Sequence, residues 1–217
     1  MKIDITNYKA IIFDMDGLLL DTENICWECF RKACSQFNYD PDFNIYKRII
    51  GRSAKEGNKI LEREFRKYIP YNKVNPIWNK LYHDAIENHP IPLKKGAFEF
   101  VDQVSYLNIK KAVATSTSYN LAVKKLKNTG LYRYFDVVVA GDQVKHSKPH
   151  PEIYLKAAYK LGVNPKRCLA FEDSDNGTLA AHTAGMTVIQ IPDMIEVSDE
   201  VRSLGHRIVG SFEEFTA

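Results

Sequence analysis

The stretch AIIFDMDGLLLDTE, residues 10–23, opens on four apolar residues and runs straight into Asp14, Asp16, Asp21 and Glu23. A continuous apolar run of this length fits a strand buried on both faces, as in a parallel sheet. Burial alone gives no reason to end such a strand on two carboxylates one residue apart. Other short β-rich runs end in a similar way. AVA (112–114) leads to Thr115, VVVA (137–140) to Gly141 and Asp142, and CLAF (168–171) to Glu172 and Asp173. A fifth run, TVIQI (187–191), stops at Pro192.

Helical patterns separate these runs. YNLAVKKLKNT (119–129) ends before Gly130, and PEIYLKAAYKLG (151–162) opens on a first-turn proline and closes on Gly162. SDNGTLAAHTAG spans 174–185. Strand and helix in alternation predict an α/β fold, a doubly wound, Rossmann-like parallel sheet with right-handed crossovers. Residues 20–93 depart from this pattern. They read as aromatic-rich amphipathic helices without a strand run, punctuated by Pro70, Pro76, Pro90 and Pro92, and HPIPLKKG (89–96) reads as a linker. The expected organisation is a core of residues 1–19 and 94–217, with an all-helical insert of residues 20–93 directly after the acidic pair.

Composition excludes several classes. A net charge of +3 without a block of like charges argues against nucleic acid. KKLK (124–127) reads as a solvated helix face. Lys2, Asp4, Asn7 and Lys9 interrupt any signal-peptide core, and no apolar run approaches the roughly 20 residues of a membrane span. Four cysteines do not make a disulfide framework. Cys26 and Cys29 form a C-x-x-C on an amphipathic helix with no second pair to complete a zinc site, so they read as helix-face or core residues. Pro149 and Pro151 exclude an ordinary helix that would present His146 and His150 as a metal pair. A cytoplasmic monomer is expected.

Ligands of open parallel sheets bind beyond the carboxyl ends of the strands. Asp14, Asp16, Thr115, Glu172 and Asp173 fall at those ends, with Lys148 in the loop KHSKPHP (145–151). Each acid alone could be a turn former or helix cap and Lys148 a surface lysine; the acids, Thr115 and Lys148 together, spread over four elements, require another explanation. Two like charges about 4 Å apart repel by roughly 4 kcal/mol at an effective dielectric near 20, so such a cluster calls for a cation. Oxygen ligands without thiol or imidazole favour Mg2+.

DMDGLLLDTE (14–23), Thr115 in AVATSTS, Lys148 in HSKPHPEIY and FEDSDNGTLAAHTAG (171–185) together resemble the four ordered motifs of the haloacid dehalogenase superfamily. The match spans nearly the whole chain and is closest to the subgroup of β-phosphoglucomutases and sugar-phosphate phosphatases. The helical insert is similar in position and length to that subgroup's cap domain. The resemblance implies that Asp14 is a nucleophile forming an aspartyl-phosphate and Asp16 the general acid and then base. It implies that Thr115 and the Ser116 amide bind phosphoryl oxygens while Lys148 neutralises developing charge. Mg2+ would be held by Asp14, the carbonyl of Asp16 and Asp173, with Glu172 acting directly or through water.

Asp16 argues against two branches of that superfamily, because a halide leaving group needs no acid and phosphonate-cleaving relatives use a cap lysine instead. Cys26 stands where the mutases carry a histidine, Ser118 where they carry a lysine, and Ala54 in GRSAKEG (51–57) where they place an arginine. The expected activity is therefore hydrolysis of a small phosphorylated metabolite, a sugar or polyol phosphate, with the phosphomutase as the alternative. Glu23 and Arg52 are candidate substrate contacts from the insert, whose linkers at Asp21-Thr22 and Pro92–Gly96 would let it close. Phosphorylation-receiver domains share strand-end acids, Thr/Ser and Lys, but they are shorter and need no helical insert. A non-catalytic binding protein would be expected to have lost a motif residue.

Overall fold

The computed structural model describes residues 4–52 and 54–215. Lys2 at the amino terminus, and Ser53 within GRSAKEG, lie outside the described residues.

Among the described residues six strands form one sheet: β1 (Ala10–Phe13), β2 (Lys110–Thr115), β3 (Val137–Ala140), β4 (Cys168–Glu172), β5 (Thr187–Gln190) and β6 (Arg207–Ile208). Their order is β3-β2-β1-β4-β5-β6, and every neighbouring pair is parallel. The five apolar runs become the first five strands. The sixth has only two residues, both half-buried, and so carries no apolar run to read.

Alternation along each strand divides the core into two layers. Ile11, Phe13, Val113, Leu169 and Phe171 face α5 (Ala97–Ser105) and α6 (Tyr119–Asn128) in one apolar cluster. Ala10, Ile12, Ala112, Ala114 and Ala170 face α7 (Glu152–Leu161) and α8 (Asp175–Thr183) in another. The alanine-rich side meets Ala157, Ala158, Ala180 and Ala181, so those helices can lie close against the sheet. On the opposite side Phe13 and Phe171 stack with ring centres 5.4 Å apart, backed by Phe100 and Phe212. α7 ends on Gly162 in the left-handed region at φ +66°, as its sequence position predicts.

Between β1 and α5 lie α1 (Thr22–Ser35), α2 (Phe43–Tyr46), α3 (Ala54–Phe65) and α4 (Tyr71–Asn88). These helices have their own apolar cluster. Phe30 lies at its centre, with ring centres of Trp78, Tyr46 and Phe65 at 4.9, 5.5 and 5.6 Å. Trp78 Nε1 donates to the Cys26 carbonyl at 3.0 Å and ties α4 to α1. Cys29 and Cys34 are buried, and all four cysteines are free thiols. Pro76 does not punctuate as its sequence position suggests; it is the sixth residue of α4, past the first turn, and removes one N–H from the helix ladder without ending it. The two linkers run side by side: Asp21 N donates to the Pro92 carbonyl, Lys94 N to the Leu19 carbonyl, and Leu20 bridges antiparallel to Leu93.

The separate cluster makes a testable unit. Phe30→Ala should lower unfolding free energy by about 3–5 kcal/mol, the usual range for emptying a buried aromatic site. Hydrogen exchange should show the loss concentrated in residues 22–88, with β1 to β5 amides still protected. An equal loss throughout would mean that the helical segment and the sheet open as one unit.

Candidate active site

The strand order reverses around β1, so the carboxyl ends of β1 and β4 form the crevice where a doubly wound sheet binds its ligand. Asp14 follows β1 and its amide donates to the Phe171 carbonyl at 3.0 Å, holding it beside Glu172 and Asp173 at the end of β4. Ligand oxygens of Asp14, Glu172 and Asp173 all lie within 4.8 Å of one another, and all three residues are buried.

Lys148 reaches this cluster from the loop before α7. Its ammonium donates to Asp14 Oδ1 and Glu172 Oε1, both at 2.5 Å, and to the Ala114 carbonyl at 3.1 Å. Burial opposes its charge, but the Asp14 and Glu172 carboxylates outweigh that and raise its pKa. Burial pushes the Asp14 carboxyl up to about 7, against the pull of Lys148. Burial and the neighbouring Glu172 and Asp14 charges push Asp173 well above the carboxylate range. Fully ionised, the three carboxylates against one ammonium would leave two negative charges uncompensated, which matches a divalent cation in both charge and oxygen chemistry.

The three acids are not equivalent. Glu172 Oε1 also accepts from the Tyr154 hydroxyl at 2.5 Å, while Oε2 accepts from the amides of Asp173 and Ser174 and the Ser174 hydroxyl. Its oxygens are therefore already engaged by protein donors. Asp173 projects toward Gly17, where a Cβ would stand 2.5 Å from Asp173 Oδ2; with φ at +83°, the DMDG turn requires glycine on both counts. Asp14 and Asp173 are thus the side chains available to a cation, with Glu172 behind them.

Asp16 sits beside this cluster in a separate shell. Thr22 Oγ1 and Lys125 Nζ each donate to Oδ1 at 2.6 Å; Thr117 Oγ1 donates to Oδ2 at 2.7 Å and Thr115 Oγ1 at 3.4 Å. Burial works to raise its pKa, but the Lys125 charge and these hydrogen bonds bring it below the usual value. Lys125 corrects the reading of KKLK as a solvated face, because its side chain is only 1% exposed. The signal was present in the sequence: Lys125 shares a helical face with Leu121, Ala122 and Leu126.

Above the acids lies a cavity of about 570 Å³ between the sheet edge and the helical segment. Asp14, Asp16, Glu23, Arg52, Thr115, Ser116, Lys148 and Asp173 all line it, so of the candidate residues only Glu172 lies outside its wall. The helical segment adds Lys55, Asn58, Asn79 and His83, with Tyr46, Trp78 and Tyr82 as aromatic wall. Burial, and then the Asp16 charge, raises the Glu23 carboxyl to about 8. Sequence reasoning missed Thr22, Thr117, Lys125, Tyr154 and Gly177. His146 and His150 bring their rings 4.7 Å apart, but the group of possible metal ligands among the described residues is the acidic one.

The sequence pattern of the haloacid dehalogenase-like hydrolases matches residues 11–191. The chain is 35% identical to a phosphorylated carbohydrates phosphatase of Thermotoga maritima, over 82% of each chain. It is 32% identical to a fructose-1-phosphate phosphatase of Escherichia coli, over 85% of this chain and 96% of the relative. Its structure is similar to that of a β-phosphoglucomutase from Clostridium difficile, with a TM-score of 0.76, 27% identity, and coverage of 95% and 92%.

Gly177 shows how closely the site is packed. A Cβ there would fall 1.9 Å from Glu172 Oε1 and 2.1 Å from Oε2, on a carboxylate that cannot swing away from its donors. Gly177→Ala should therefore displace Glu172 together with Lys148, and steady-state kinetics should show turnover reduced about a hundredfold or more, the scale of an ångström-sized misplacement. Turnover within a few-fold of the native value would show that α8 can retreat from Glu172.

Proposed function

The chain belongs to the haloacid dehalogenase-like hydrolase family, and from there we propose that it is a Mg2+-dependent phosphatase acting on a small sugar or polyol phosphate. The observation that carries this reading is the buried arrangement of Asp14, Lys148, Glu172 and Asp173 at the floor of a cavity, with Asp16 beside it. Relatives named for phosphorylated carbohydrates and for fructose 1-phosphate support the substrate class.

In this reading the ester binds as its monoanion and passes its proton to the ionised Asp16 carboxylate; an Asp14 oxygen attacks phosphorus, the bond to the ester oxygen breaks, and Asp16 relays that proton to the leaving alcohol. Asp16 then takes a proton from the water that attacks the aspartyl-phosphate, releasing phosphate and restoring the Asp14 carboxylate. Thr115 and the Ser116 amide orient the phosphoryl oxygens. Lys148 holds the Asp14 carboxylate and compensates charge gathering on the phosphoryl group. Asp14, Asp173 and the main-chain carbonyl of Asp16 would hold Mg2+, with Glu172 as outer support; the ion supplies positive charge that lets an anionic nucleophile meet an anionic ester.

Residues 20–93 act as a cap in this proposal, closing on the paired linkers at Leu20 and Leu93. Closure limits the substrate to what the cavity encloses and keeps bulk water from the intermediate. Arg52 and Glu23 are the contacts proposed for the distal part of the substrate.

Phosphate release from a panel including fructose 1-phosphate and β-glucose 1-phosphate tests the reading. Asp14→Asn should lose at least about a thousandfold in turnover, and chelator should abolish turnover in the native protein. Undiminished turnover in either arm would overturn the mechanism, and glucose 6-phosphate formed with little free phosphate would favour a mutase.

Metal binding should also depend on pH in a defined direction. A cation at the acidic cluster must displace the proton that Asp14 retains up to about pH 7. The rise in Tm on adding Mg2+ should therefore grow from pH 6 to pH 8. For the chelated protein the sign is opposite. The folded Asp14 pKa lies above its unfolded value of 3.8, so its contribution falls as pH rises from about 4 to 7. A Mg2+ effect that shrinks between pH 6 and pH 8 would remove Asp14 from the ligand set.

A further inference from the structure

α6 carries an ammonium where a helix ordinarily presents apolar side chains to a core. Lys125 follows Ala122 by three residues and precedes Leu126, both fully buried, and is itself 1% exposed. A buried ammonium is costly unless it is paired, whereas leucine or methionine would fill this position without that cost. Its carboxylate partner is Asp16, with Nζ at 2.6 Å from Oδ1. Nζ also lies 5.2 Å from the ring centre of Tyr82, on α4.

The same helix makes two further links to α4. Lys124 Nζ pairs with Glu87 at 2.6 Å, and Asn128 Nδ2 donates to the Ile86 carbonyl at 3.2 Å. One face of α6 thus touches both Asp16 on the sheet side and the wall of the cavity on the helical side. The remaining donors to Asp16 are the hydroxyls of Thr22, Thr115 and Thr117, which can turn and either donate or accept. Lys125 can only donate, and its burial leaves it little room to turn away. It therefore sets the direction in which the Asp16 carboxyl points.

We propose that Lys125 is a positioning residue for acid–base chemistry at Asp16, pinning Oδ1 with an ammonium that itself lies over the Tyr82 ring, so that the carboxyl is aimed correctly when α4 is seated on α6. This rests on the reading of Asp16 as the acid and base. It assigns α6, outside the four motifs, a role in aligning the reacting group and in coupling that alignment to the helical segment.

The test compares Lys125→Met, of similar length without the charge, with Lys125→Arg, which restores it. Fructose 1-phosphate has an alcohol leaving group that needs a proton; p-nitrophenyl phosphate releases a phenolate that does not. Rapid mixing isolates the first turnover of the aryl ester, before water must be activated. Lys125→Met should lower kcat on fructose 1-phosphate by about a hundredfold, within the usual range for acid–base catalysis, with KM changed less than about threefold. The p-nitrophenol burst should slow by less than about tenfold, and Lys125→Arg should recover most of the lost kcat. An equal loss on both esters would reduce Lys125 to a structural role, and an unchanged kcat would remove it from the reaction.

Tyr82→Leu provides the second arm if Lys125→Met does not fold. It should lower kcat on fructose 1-phosphate several-fold with the burst preserved, and equal or absent losses overturn the coupling. Asp16→Asn measured on the same two esters separates this proposal from its premise: without a selective loss on fructose 1-phosphate there, the role of Asp16 itself fails.

Discussion

The bridge from Lys148 to Asp14 and Glu172 is the interaction on which the rest of the site depends. Parallel strands whose carboxyl ends carry acids bring like charges together in a buried crevice, and the sheet order places β1 and β4 side by side. Without a cation between them the acids would repel one another or remain protonated. One ammonium bonded to both at 2.5 Å joins two strands separated by most of the chain, and it leaves a charge deficit suited to a divalent ion.

Around that bridge the site separates into fixed and available groups. Glu172 is held by Lys148, Tyr154 and donors from the turn into α8, under a glycine that leaves room for no Cβ. That turn serves as the support against which Lys148 and Asp173 are set. Asp14 and Asp173 face the cavity, and Asp16 is kept in a separate pair with Lys125. Two acid–lysine groupings thus lie side by side, giving Asp14 and Asp16 separate ammonium partners although they are one residue apart and the Asp16 charge still acts on Asp14.

Much of this was legible in the sequence. The five apolar runs, their strand-end acids, Lys148 and the break into helices after residue 20 are local patterns, and local patterns are set by periodicity and backbone chemistry. The helical boundaries at Pro151 and Gly162 follow from φ restrictions that any reader can apply. Pro76 and β6 were misread or missed for the same physical reason: a proline inside a helix and a two-residue strand draw support from their neighbours rather than from their own residues.

The amino-acid sequence by itself determined the α/β class, the acids and lysine that converge, and the segment that covers them. Those properties come from residue type and spacing along a single element. Tertiary structure alone decided that Glu172 is saturated by protein donors, that Gly177 must lack a side chain, and that Lys125 is buried against Asp16 instead of solvated. Each of these depends on which atoms from distant elements occupy the last few ångströms around a charge. Sequence spacing cannot specify that until the sheet and the helical segment have packed.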